Sequence, residues 1–197
     1  MSATNVSNPS SASKPVAPGG EAIWDIDTAH SAAHFKVRHL MVSYVRGTLG
    51  PVSGTVTLDE KDLTRSRVDV RIDARAIETR DAKRDEHLRS ADFLDVANHP
   101  TVTFVSRQVR KENDGSLQVA GDLTIRSTTK PVTLTVEALE APVADPWGNT
   151  KRGVNARTTI NRKDWGLEWN VGLEAGGVLV GEQVAIEIEV ELARRKA

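Results

Sequence analysis

The chain of 197 residues is long enough for one domain, and its 39% hydrophobic content is enough to form a core. Its 26 basic and 27 acidic residues leave a formal charge of −1, which gives no electrostatic attraction toward nucleic acid or an anionic membrane. The lack of cysteine excludes disulfides, thiolate metal sites and a cysteine nucleophile.

The first 21 residues are predicted to form a disordered leader, followed by one domain over 22–197. The leader is rich in Ser, Asn, Ala, Pro and Gly and contains no apolar run typical of a signal peptide. No later segment approaches the roughly 18 consecutive apolar residues of a membrane span. We therefore expect a soluble, cytoplasmic protein with no membrane span.

Alternation of apolar and polar residues predicts most of the ordered chain to be β-strand. Phe35 and Val37 share one face of an early strand, with Lys36 and Arg38 on the other face. The same two-residue period recurs in the segments 54–58, 68–73, 102–109, 117–125, 132–136, 154–160 and 184–192. About eight antiparallel strands predict an all-β protein, which closes as a barrel or stacks as a sandwich. An eight-stranded barrel is either filled by side chains or holds one small ligand.

One helical pattern interrupts the strands within 85–104. Thr79 or Asp81 can cap the start of this helix, and Pro100 forces extended backbone before it and so begins a strand. Apolar residues recur on one helical face at Leu88, Ala91 and Leu94. This pattern favours a helix that covers the end of a sheet over a lid above a cavity, and both interpretations stay open.

The segment 161–181 combines apolar and aromatic residues with several glycines. Because glycine adds to the entropy lost on ordering, this composition suits an adaptable wall better than a rigid core. Trp165 and Trp169 either plug the end of a barrel or line its mouth.

Catalytic and metal-binding motifs are not evident. His30 and His34 can share a strand face, but His39 has the opposite parity and no further ligand lies at a suitable spacing. His87 and His99 flank the helical segment and suit boundary positions. The sequence contains no nucleophile elbow, phosphate-binding loop or dinucleotide fingerprint. We expect no metal site and no enzymatic activity.

Several sequence blocks in the same order resemble the YceI-like family of polyisoprenoid-binding proteins. The blocks include WDID at 24–27, FKVRH at 35–39, DEHLRSADF at 85–93, HPTVTF at 99–104 and NRKDWGL at 161–167. The resemblance spans about 22–192 and implies a lipocalin-like antiparallel β-barrel that holds a long isoprenoid chain, such as a quinone or a polyprenyl lipid. It implies binding or carriage of that lipid and no separate cofactor.

The resemblance, combined with strand parity, also implies which residues contact the ligand. The predicted apolar pocket consists of Phe35, Val37, Met41, Val45, Leu88, Phe93, Phe104, Trp165, Leu167, Leu173 and Val178. Candidate anchors for a polar head group are Arg38, His39 and Arg162. Two alternatives remain, an enzyme acting on an isoprenoid-like substrate and a filled barrel that serves as a protein-interaction module. The oligomeric state is open, and a homodimer is compatible with the sequence.

Overall fold

The computed structural model describes residues 20–174 and 176–196, so the predicted leader lies almost wholly outside the described residues. The described chain forms ten strands and one α-helix. The strands are β1 (Glu21–Ile26), β2 (Ala32–His39), β3 (Ser43–Asp59), β4 (Arg67–Asp73), β5 (Thr101–Lys111), β6 (Leu117–Ile125), β7 (Thr128–Val136), β8 (Val143–Ala144), β9 (Thr150–Asn161) and β10 (Val180–Arg194). The helix is α1 (Ala82–Arg89).

Eight of the strands close into an antiparallel barrel. The order is β2, β3, β4, β5, β6, β7, β9 and β10, and the ring closes because β10 pairs with both β9 and β2. The strand β1 pairs with β10 and β3, and the two-residue β8 pairs with β9. The predicted all-β class and eight-stranded barrel are confirmed.

The strand directions define two ends of the barrel. The upper end carries the β2–β3 turn, the segment 74–100 with α1, the β6–β7 turn and the segment 162–179. The lower end carries the β5–β6 turn and the loop 145–149 before β9. Because all neighbours in the ring are antiparallel, successive turns alternate between these two ends.

The helix is capped by Asp81, one of the two residues predicted to cap it. The Asp81 carboxylate accepts hydrogen bonds from the backbone N–H groups of Lys83 and Arg84, both at 3.1 Å. Thr79 does not cap the helix, because its backbone N–H and its hydroxyl both donate to the buried carboxylate of Asp85. Asp85 therefore ties α1 to the preceding segment. No helix in the described part of the chain is long and apolar enough to cross a membrane.

Inward-facing side chains alternate along the strands as the two-residue period predicts. On β6 the buried residues are Leu117, Val119, Gly121, Leu123 and Ile125. The Phe104 ring packs over β6 at Gly121. A Cβ at this position would lie 2.6 Å from the ring, so the close packing requires glycine. Trp24 is fully buried near the lower end and lies beneath the barrel interior.

Candidate functional site

An apolar cavity of about 240 Å³ occupies the barrel interior. Leu117 near the lower end and Ile125 near the upper end both line it, so the cavity extends along the nine residues of β6, or about 26 Å of strand. The cavity is therefore long and narrow.

The lining is apolar almost throughout. Four lining residues carry a polar side chain, namely Ser66, Thr103, Thr158 and Arg162. Several inward-facing valines, including Val56, Val68 and Val70, keep partial accessibility although they lie on the barrel's inner face. Side chains consequently leave the middle of the barrel open, unlike a core packed to the density of an organic crystal.

Six of the predicted apolar pocket residues border this cavity: Phe35, Val37, Leu88, Phe93, Phe104 and Leu167. They come from β2, α1, the segments after α1 and β9, and from β5. The structure thus brings together side chains that lie up to 132 positions apart in the chain, from Phe35 to Leu167. Their contact with a ligand stays a prediction.

The other five predicted pocket residues lie outside the cavity lining, and their contact with a ligand stays a prediction. Met41 projects from the β2–β3 turn and is 52% exposed, because strand parity ends at His39. Val45 packs beside Phe35 and Val37 without reaching the cavity. The remaining three are Trp165, Leu173 and Val178.

Trp165 misses the cavity because a short 3₁₀ turn, Arg162–Trp165, directs its indole into the wall. The side chain is 3% exposed, and its Nε1–H donates to the carbonyl oxygen of Leu123 at 3.1 Å. Trp165 therefore packs as core, in agreement with the plug interpretation. Leu173 and Val178 lie on the loop after this turn, where Gly172 and Val178 form an isolated bridge.

Among the candidate polar anchors, Arg162 alone borders the cavity. Arg38 instead lies over the Tyr44 ring, with 4.5 Å between its guanidinium carbon and the ring centroid. His39 ends β2 opposite Ser43, outside the lining. Arg38 and His39 therefore lie outside the cavity lining, and their role as anchors for a polar head group stays a prediction.

Arg162 is a buried cation held by backbone carbonyls. Its Nε–H donates to Gly181 O at 3.0 Å, and its two terminal nitrogens donate to Leu167 O and Val180 O. Burial lowers the pKa of Arg162 from its ordinary value, while the nearby Glu182 carboxylate favours the charged form. Glu182 itself pairs with Lys163. The cavity thus has a positive group at its upper end.

Three aromatic rings cover the upper end of the cavity, and we call His87, Phe93 and Trp169 the aromatic clasp. The His87 ring meets Phe93 edge-on at 5.0 Å and Trp169 edge-on at 4.5 Å, while Phe93 and Trp169 are 5.3 Å apart. The clasp joins the α1 segment to the loop after β9. Leu88 and Leu94 lie beneath it in the cavity lining, whereas Ala91 is exposed.

One cluster of possible metal ligands lies at the lower end, at Asp27, His30 and Glu191. Lys151 occupies its centre, with Nζ 2.7 Å from Asp27 Oδ2 and 2.8 Å from Glu191 Oε1. The ammonium group supplies the positive charge that a metal ion would bring. The donor set therefore forms an ion-pair network.

Comparison with known families matches residues 24–192 to the YceI-like domain. The chain belongs to the YceI-like family. Protein YceI of Escherichia coli is 37% identical over 172 residues, which cover 87% of this chain and 86% of that protein.

Two solved structures share the YceI-like fold. Burkholderia cenocepacia BcnA superposes with a TM-score of 0.71 at 20% identity and covers 84% of this chain and 98% of its own. A polyisoprenoid binding domain from Saccharophagus degradans, implicated in plant cell wall breakdown, has a TM-score of 0.65 at 15% identity. It covers 89% of this chain and 99% of its own.

Sequence reasoning missed the middle of the cavity in this YceI-like barrel. The lining residues that were not predicted include Val56, Val68, Val70, Val109, Val119, Leu134, Val154, Ile186 and Ile188. Those on β4, β6, β7, β9 and β10 come from strands for which the resemblance supplied no pocket residue. The alternation of apolar and polar residues in these strands could have identified them, because it separates the inner from the outer face of each strand. It did not show that the inner face encloses an open space.

Proposed function

We propose that this YceI-like barrel binds one long isoprenoid lipid, a polyprenyl chain or an isoprenoid quinone, and carries or stores it. The observation that supports this proposal is the long apolar cavity with a single cation at its upper end. The name of the Saccharophagus degradans neighbour, a polyisoprenoid binding domain, agrees with this ligand class. The predicted cytoplasmic location remains a prediction.

The apolar tail of such a lipid needs few polar contacts. Each methylene group that leaves water contributes about 0.8 kcal/mol, so several isoprene units supply the binding free energy by burial alone. The length and shape of the cavity then select the ligand more strongly than hydrogen bonds do.

Arg162 is the proposed anchor for the ligand's polar head. A guanidinium has five N–H donors, and three carbonyl oxygens account for only part of them. The remaining donors suit an oxygen acceptor, such as a quinone carbonyl or a phosphate group. A head group of this kind would also partly compensate the buried positive charge.

Binding is better supported than catalysis on an isoprenoid substrate. Arg162 is the charged group in the lining, and a guanidinium does not deprotonate in proteins and so cannot serve as a general base. The open interior also argues against a filled barrel that acts only as a protein-interaction module.

Blocking the cavity tests this proposal. Val70 faces the cavity next to Gly54, its partner on β3, which has no side chain, so Val70→Trp has room to fill the interior. We expect V70W to weaken the binding of geranylgeraniol at least about tenfold, as measured by titration calorimetry, because the added ring occupies the ligand's volume.

The matched control is Arg71→Trp, which places the same ring on the outer face of the same strand. R71W is expected to bind like the unmodified protein. Equal affinity of V70W and R71W, or no binding by the unmodified protein, would contradict the proposal.

A further inference from the structure

The β2–β3 turn exposes three consecutive apolar side chains, Leu40, Met41 and Val42, which we call the apolar turn. They are 39%, 52% and 77% exposed. The exposed Val171 lies beside them, because Leu40 N–H donates to Leu179 O, and Leu179 N–H donates to Val171 O. Contiguous exposed apolar residues on a soluble barrel are typical of an interaction site.

The backbone of the apolar turn has positive φ angles at Leu40 and Met41, a conformation that leucine and methionine rarely adopt. Leu40 and Met41 have φ values of 51° and 60°, and Val42 N–H donates to His39 O at 3.1 Å. Two successive positive φ angles define a hairpin turn that prefers Asn-Gly. Leucine and methionine hold this geometry at a conformational cost, and such strain is concentrated at functional positions.

The hairpin that carries the apolar turn is basic. The segment 28–58 contains no aspartate or glutamate, although the chain has 27 such residues. The guanidinium carbons of Arg38 and Arg46 lie 4.5 and 5.5 Å from the centroid of the Tyr44 ring, directly behind the apolar turn. Lys36 of this hairpin pairs with Glu187 of β10 at 3.5 Å, so Arg38 and Arg46 are the cations that the hairpin offers to a partner.

The apolar turn also lies next to the upper end of the cavity. Val37, two residues before the end of β2, lines the cavity, and so does Val180, the residue after Leu179. A surface that contacts the apolar turn therefore meets the barrel at the end covered by the aromatic clasp.

We infer that the apolar turn docks the protein on a lipid bilayer. Leu40, Met41 and Val42 insert at the boundary between head groups and acyl chains, and Arg38 and Arg46 contact anionic head groups. Apolar residues ahead of an aromatic residue and arginines form the pattern of membrane-interface segments. This inference goes beyond the proposed function, because docking concerns the outer surface and not the cavity.

Sedimentation with vesicles tests the inference. We expect the full chain to pellet with vesicles of phosphatidylcholine and phosphatidylglycerol in equal parts. The double variant Leu40→Asn with Met41→Gly should lower the partition coefficient at least about tenfold, because burial of even one such side chain contributes that much. Its melting temperature should be equal or higher, since Asn-Gly suits the turn.

Two further variants separate the contributions. Trp147→Ser removes a side chain that is 82% exposed at the lower end and should leave vesicle binding unchanged. Arg38→Gln with Arg46→Gln should abolish the extra binding that phosphatidylglycerol gives over pure phosphatidylcholine.

Three results would overturn the docking inference. One is that the full chain stays in the supernatant, and another is that L40N/M41G pellets like the unmodified protein. The third is a solution dimer that L40N/M41G converts to monomer, which would make the apolar turn a contact between two copies. Geranylgeraniol binding by L40N/M41G, measured without vesicles, tests the cavity separately and should be unchanged.

Discussion

At the scale of single residues, the proposed anchor Arg162 is the group that we expect to distinguish one isoprenoid from another. Its guanidinium is buried at the upper end of a largely apolar cavity, and its hydrogen bonds go to carbonyl oxygens. A head group that accepts hydrogen bonds gains from this cation, whereas a pure hydrocarbon gains nothing from it.

Replacing Arg162 should therefore change selectivity more than it changes tail binding. We expect Arg162→Gln to lower the affinity for an isoprenoid quinone relative to squalene by about tenfold, because a hydrogen bond to a charged group contributes roughly 1.5–3 kcal/mol. The ratio of the two affinities, measured by calorimetry, corrects for any general damage to the barrel. The control Lys163→Gln removes the neighbouring exposed cation and should leave the ratio of the two affinities unchanged. If R162Q also leaves this ratio unchanged, Arg162 does not anchor the head group.

A second residue-scale prediction concerns stability in acid. The hydrogen bond from Lys151, supported by His30, lowers the pKa of Asp27 from 3.8 to about 2. Since the folded-state pKa lies below the unfolded one, this pair stabilises the fold above pH 3.8, and the contribution is lost as pH falls toward about 2.

Lys151→Met should consequently shift acid unfolding, followed by circular dichroism, to higher pH than in the unmodified chain. Lys61→Met makes the same change of charge at an exposed site near the lower end and serves as the control. Coincident acid transitions of K151M and K61M would show that the Asp27–Lys151 pair does not set acid stability.

At the scale of elements, α1 and the loop after β9 together cover the cavity. The sequence predicted a helical segment within 85–104 with Thr79 or Asp81 as its cap, because helix formation and capping depend on local spacing and hydrogen bonding. The helix spans Ala82–Arg89 with Asp81 as its cap, so Ala91 and Leu94 of the predicted apolar face lie beyond its end. The sequence did not predict the aromatic clasp, because the clasp joins His87 and Trp169 across 82 positions of chain. Long-range contacts of this kind depend on the closed barrel.

The clasp should control how fast a ligand leaves. Trp169→Ala removes two aromatic contacts, each worth about 0.5–1.5 kcal/mol, so we expect release of a bound isoprenoid to accelerate by roughly tenfold. Stopped-flow transfer of the ligand to acceptor vesicles measures this rate. The control Trp147→Ala removes an exposed indole from the lower end and should release the ligand at the rate of the unmodified protein. If W169A also releases the ligand at that rate, the aromatic clasp does not control ligand release.

At the scale of the whole molecule, strand alternation predicted the barrel. Which side chains line its interior depends on whether each residue lies within a regular strand or on a turn. Phe35 and Val37 were predictable as lining residues because they lie within one regular strand. Met41 was not, because the β2–β3 turn ends the alternation, and Trp165 was not, because a 3₁₀ turn redirects its side chain. A two-residue period gives the face of a strand but not the volume that eight such faces enclose.

The cavity is the feature on which the whole account depends, and native mass spectrometry of the protein purified from its own host tests it most directly. We predict an adduct whose organic extract contains a polyprenyl chain or an isoprenoid quinone. A protein that is ligand-free in this measurement, and whose melting temperature does not rise when isoprenoid quinones are added, would contradict the lipid-binding function.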